Sequence, residues 1–127
     1  MAIADLRDSD VMAHLLDALE AGKDIGHYGR LTFTIVAQYF ADEEEIISHL
    51  RKDQDFSEEE ARSLYEQVTS KGYSPPSRDS ILEWQASQDF AICANPDDPD
   101  ACNVYQDLTF PKSVYESISE YHEEKAD

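Results

Sequence analysis

Two sets of side chains in this sequence have the chemistry for reaction or recognition: the thiols Cys93 and Cys102, and the basic group His27, Arg30, Lys71 and Arg78. The thiols have three options. They can stay free in the interior, where a cysteine behaves as a small hydrophobe, close a short disulfide loop, or contribute to a metal site. Free thiols come first, because a cytoplasmic chain keeps its cysteines reduced. Zinc needs additional ligands, and none of His14, His27, His49 and His122 lies at a finger-like spacing from a cysteine. Arg30 offers a planar donor fork suited to phosphate, and a helix opening at Tyr28 and Gly29 would add free N–H groups and a favourable dipole, with His27 as a further donor. The bland alternative is that Arg30 pairs with one of many acids and His27 caps the helix. Whether Lys71 and Arg78 join Arg30 in one place depends on the fold.

Other chemistry finds less footing. Asn95-Pro96-Asp97-Asp98-Pro99-Asp100 has the carboxylates of a calcium loop but lacks the twelve-residue pattern with its central Gly and terminal Glu, and its prolines make turns. Trp84, Tyr105, Phe110 and Tyr115 could stack on bases, although in a helical domain most aromatics are core. No nucleophile motif surrounds a serine, no carboxylate pair has the spacing of acid and base partners, and the four glycines are too scattered for a phosphate loop. The expectation is a protein that is not an enzyme.

The elements that position these residues read as helices. Ser9 caps a helix from about Asp10 to Ala21, with Val11, Met12, Leu15, Leu16 and Leu19 at helical spacing and Gly22 as its stop. After a turn at Lys23 to Gly26, Tyr28 to Phe40 is apolar on nearly every side, as a central helix should be. Asp42 caps a third helix with Glu43 to Glu45 in its first turn and Arg51 and Lys52 at its end, matching the helix dipole. Ser57 with Glu60 makes a capping box for a fourth helix that ends before Gly72. Tyr73-Ser74-Pro75-Pro76 breaks the helical run, and Asp79 or Ser80 restarts a short helix through Gln85. Asp89 to Asp107 reads as an irregular loop, compatible with a small β-hairpin between 89 and 110. Pro111 opens a last helix with Val114, Tyr115, Ile118 and Tyr121 on one side. The expected fold is all-α: a single domain over residues 1–127, a bundle of five to six helices with one long loop.

Composition narrows the partners. The chain has 127 residues, is 41% hydrophobic, and carries 10 Lys plus Arg against 28 Asp plus Glu, a net charge of −18. It is long enough and apolar enough to bury one core. That charge argues against general nucleic-acid binding, which needs clustered cations. The acids are unevenly spread: residues 1–78 hold 8 basic and 16 acidic side chains, residues 79–127 hold 2 and 12. A solvated surface, adaptation to salt, or a face that docks on a basic protein each accounts for this. Five lysines and eight isoleucines are not an extreme halophile's composition. No stretch approaches the ~20 apolar residues of a membrane span, and no signal peptide opens the chain, so the expected location is cytoplasmic.

His27-Tyr28-Gly29-Arg30-Leu31, an acidic helix at Asp42 to Lys52, a helix carrying Tyr65, then Gly72-Tyr73-Ser74-Pro75-Pro76-Ser77, Ala91-Ile92-Cys93 and finally Cys102 follow one another in an order similar to the C-terminal domain of the archaeal and eukaryotic primase large subunit. Val11-Met12 stands where that family has its first Cys followed by Met, so the resemblance covers about residues 8–105. The family's four cysteines hold a [4Fe-4S] cluster. Here the matching positions are Val11, Arg78, Cys93 and Cys102, so two ligands are missing and a cluster within one chain is not expected. Two chains sharing one would be the exception. The resemblance implies that His27 and Arg30 derive from a pocket that holds the phosphorylated end of a primer; Lys71 and Arg78 would join that site only if the fold brings them to Arg30. Gly26 stands where a cation often occurs. Three functions follow as expectations: a non-catalytic accessory domain binding a nucleic-acid end or nucleotide phosphate in replication, an acidic module docking on a basic partner, and a redox or metal protein using Cys93 and Cys102.

Overall fold

The computed structural model describes residues 3–116, and over them the chain is all-α. A 3-10 helix, Ile3–Asp8, leads into α1 (Asp10–Glu20), followed by α2 (Gly26–Ala37), α3 (Glu43–Leu50), α4 (Glu58–Lys71), α5 (Arg78–Gln85) and the short α6 (Val104–Asp107). A further helical turn spans 112–116. Ile118 and Tyr121, expected on the last helix, lie outside the described residues.

Local chemistry sets most helix ends. Ser9, Asp42, Ser57 and Ser77 each accept an N–H from the first turn that follows, and Ser57 with Glu60 forms the full capping box. Gly72 ends α4 in the left-handed region at φ 63°, where a side chain at Cβ is disfavoured. α5 begins at Arg78, slightly earlier than expected, because Ser77 caps it directly after the two prolines.

α2 lies at the centre. It packs on α1, α3, α4 and α5, and Gly29 and Thr32 to Ala37 are all buried, which explains a sequence apolar on nearly every side. Around Phe33 the interior is filled by Met12, Leu15 and Leu19 of α1, Ile46, Ile47 and Leu50 of α3, and Ala61 and Val68 of α4. Phe110 closes one end, its ring against Tyr39, Phe40, Tyr105 and Tyr115 at centroid distances of 5.5–6.4 Å.

The expected hairpin between 89 and 110 does not form: no strand occurs among the described residues. Pro96 and Pro99 lack the N–H a ladder needs. Turns close through Asp98 N–H to Asn95 C=O and Ala101 N–H to Asp98 C=O. Asn103 then caps α6 by accepting the N–H groups of Tyr105 and Gln106.

Candidate functional site

Arg30 projects from α2 into a polar node inside the fold. Its Nη1 donates to Asp53 Oδ2 at 3.0 Å and to Asp24 Oδ1 at 3.1 Å, and its guanidinium lies over the Phe56 ring, 4.5 Å from the centroid. The Asp53 side chain is 0% exposed and that of Arg30 14%. Asp53 also accepts the backbone N–H of Ile25 at 3.0 Å and of Asp55 at 2.8 Å. A buried carboxylate with three donors is fully satisfied, and it holds the turn after α3 against the start of α2.

The amino end of α2 has no side-chain cap of its own. Asp24 accepts the Gly26 N–H, and Gln88, distant in sequence, accepts the Tyr28 N–H at 2.8 Å. The Gln88 amide then donates to the carbonyls of Ile25 and Phe90. Of the donors that would meet a phosphate at this terminus, Tyr28 N–H is therefore occupied by the protein. His27 is exposed, edge-on to the Tyr28 ring, which stacks on Trp84 at 5.4 Å.

Lys71 stands exposed in the last turn of α4 and forms no ion pair among the described residues. Arg78, at the start of α5, faces backbone oxygens only: Nε donates to Ala101 C=O at 3.0 Å, and Nη2 to Pro96 C=O at 2.7 Å and Asp98 C=O at 3.0 Å. Among the described residues none is partner to two of His27, Arg30, Lys71 and Arg78. Arg30 and Arg78 act in separate networks.

Cys93 and Cys102 are joined in a disulfide, which corrects the expectation of free thiols. Turns at 95–101 bring their Cα atoms to 5.7 Å, within the usual range for such a bond, and both residues are buried. Cys93 N–H donates to Gln85 Oε1 at 2.7 Å. Cys102 has φ 64°, unusual for a residue with a Cβ, and its N–H lies on the Asp10 carboxylate at 3.0 and 3.2 Å. Asp10 Oδ1 also accepts the N–H of Val11. Asp10, Arg78, Cys93 and Cys102 thus meet in one knot: a carboxylate on the Cys102 N–H, a guanidinium on Ala101, and a disulfide, with Val11 next to Asp10 in sequence. Burial, followed by the charge of Asp10, raises the neighbouring Asp107 carboxyl above its usual range.

Comparison with protein-family models, with curated proteins and with solved structures returns no match.

Among the described residues no three His, Cys, Asp or Glu side chains gather as metal ligands. His14 lies 2.9 Å from the Ala91 carbonyl, which can only accept, so its Nε2 carries a proton, and its ring stacks on Phe90. His49 Nδ1 is buried without a hydrogen-bond partner among the described residues, and burial, then Lys52, lowers its pKa from the ordinary 6.5. His122 lies outside the described residues. Asp10, Asp53, Gln85 and Gln88, the acceptors that organise the two networks, stand out in no local pattern. Asp10, Asp53 and Gln88 act across more than twenty residues of sequence, and Gln85 across eight.

From Asp79 to Asp107 the chain carries seven acidic side chains and no Lys, Arg or His. None of the seven is in a salt bridge among the described residues, whereas Glu43, Glu44 and Glu58 surround Arg62, and Glu20 pairs with Lys52. Asp97, Asp98 and Asp100 are exposed on the loop that Arg78 holds. No described helix is long and apolar enough to cross a membrane.

Proposed function

We propose that this chain is a non-catalytic docking domain whose acidic stretch, residues 79–107, engages a basic protein partner. One observation carries the reading: the arginines suited to phosphate are committed within the fold, Arg30 to Asp53 and Asp24 and Arg78 to three carbonyls, while among the described residues the acids of 79–107 form no salt bridge. Free carboxylates beside satisfied cations set a negative field that speeds encounter with a cationic surface and repels nucleic acid.

The resemblance to the primase large subunit bears on the partner. The nearness of Arg78, Cys93 and Cys102, three of the four positions matched to that family's cluster ligands, supports it, with the fourth, Val11, next in sequence to Asp10, and a replication protein with a basic surface is the partner class it suggests.

Binding of a fluorescent oligolysine peptide by the full chain tests the proposal. Neutralising the loop with Asp97→Asn, Asp98→Asn and Asp100→Asn should weaken binding severalfold more than neutralising Glu58, Glu59 and Glu66 on α4, the same charge change elsewhere. Equal loss from both triples means undirected attraction and removes the docking face. Tight binding of a 5′-triphosphorylated oligonucleotide that Arg30→Met abolishes without unfolding the chain would replace it with the phosphate reading.

A further inference from the structure

Loop 94–100 has no anchor in the core, since every one of its residues is exposed. At its edges it is tied by the Cys93–Cys102 bond, by Arg78 on Ala101 and by the Cys102 N–H on Asp10, and along its length only by the donations of Arg78 to the Pro96 and Asp98 carbonyls. The hydrogen bonds are partly solvated, and Cys102 is held at φ 64°, a conformation a free cysteine leaves readily. Without covalent closure, the loop regains conformational freedom that these bonds alone must offset. The helical core, by contrast, draws no side chain from 94–100.

We propose that the Cys93–Cys102 disulfide is a redox latch: reduction releases the loop from Arg78 while α1–α4 stay folded, and the loop's carboxylates form a docking face only in the closed, oxidised state. The second half rests on the docking function proposed above. The electrons come from an external dithiol. As the exposed loop breathes, one thiolate of the external dithiol attacks a protein sulfur, the S–S bond breaks and a mixed disulfide forms. The second thiolate displaces that sulfur, the dithiol leaves as its own disulfide, and its two protons end on Cys93 and Cys102.

Amide hydrogen exchange of the full chain, oxidised and reduced with dithiothreitol, tests the latch, and Cys93→Ser with Cys102→Ser provides a reduced form that cannot reclose. Reduction should speed exchange at 94–102 by about tenfold or more and leave the amides of α1–α4 unchanged, and it should weaken oligolysine binding severalfold. Unchanged exchange in the loop overturns the latch. Acceleration spread through α1–α4 also overturns it, by making the bond a staple of the whole domain. Loop opening with undiminished oligolysine binding overturns the coupling to docking. Failure of the oxidised protein to bind oligolysine at all removes the docking function itself, and the exchange data, which need no partner, still decide the latch.

Discussion

Replacing Asp53 with alanine removes a carboxylate that is 0% exposed and leaves the Arg30 guanidinium, 14% exposed, with Asp24 as its remaining partner. Breaking a buried pair from one side costs about 3–5 kcal/mol. Asp24, itself 41% exposed, keeps part of the compensation, which places the ion-pair loss at the lower end of that range. The Ile25 N–H loses its acceptor inside the core, a further ~1–3 kcal/mol, whereas the exposed Asp55 N–H turns to water without loss. The two losses share one site and are not fully additive, so about 4 kcal/mol is expected. A domain of this size has ~5–15 kcal/mol in total. With a urea dependence of roughly 1.5 kcal/mol per molar, the midpoint should fall by about 2.5 M. Urea unfolding followed by far-UV circular dichroism and by Trp84 fluorescence reads this directly. Arg30→Met in the Asp53→Ala background removes the orphaned cation and should return part of the loss. A midpoint shift worth under ~1 kcal/mol, or a double variant whose loss is the simple sum of the singles, would refute the view that Arg30 is committed to this node.

Two glycines should respond differently to alanine, by thermal melting. Gly72→Ala, at φ 63° with open space around the new Cβ, should cost about 1 kcal/mol, and Gly26→Ala, at φ 76° with the new Cβ 2.6 Å from Gln88 Oε1, about twice that or more because it also displaces the Gln88 latch. Stability should depend on pH through His49. Its folded pKa lies below the ordinary 6.5, so the unfolded chain binds the proton more readily; its contribution is fully present above 6.5 and is lost as pH falls toward the folded value. Lys52 and Arg7 add to the lowering, and Glu20 and Glu45 oppose it. His49→Gln should therefore flatten the dependence of urea midpoint on pH below the ordinary 6.5, and an unchanged slope would assign that dependence to other groups.

What could be read in the sequence was local. Ser9, Asp42, Ser57 and Gly72 mark helix ends because a cap acts within four residues of itself, and α2 announces its central place by having no polar face. Where a helix end is set from afar, local patterns fail. α2 starts at Gly26 rather than Tyr28 because Gln88 caps it, and α6 sits inside a stretch whose prolines and aspartates read as loop. For the site, the chemistry of Arg30 and Arg78 was legible but their partners were not, since Asp53 and the carbonyls of 96–101 come near only in the folded chain. The disulfide failed to announce itself for the same reason: nine positions of separation permit it, and the turns decide it.

The bond from Cys102 N–H to Asp10 joins positions 92 residues apart, and it has a consequence for synthesis. At ~5–20 residues per second, roughly 5–20 s separate the appearance of Asp10 from that of the segment it receives. Throughout that interval the amino end of α1 keeps its own cap, Ser9, but lacks its partner from far along the chain, while α1–α4 can already pack on one another. A nascent chain arrested before residue 102 should accordingly protect α1–α4 from protease and leave the segment after α5 open to cleavage until Cys102 emerges.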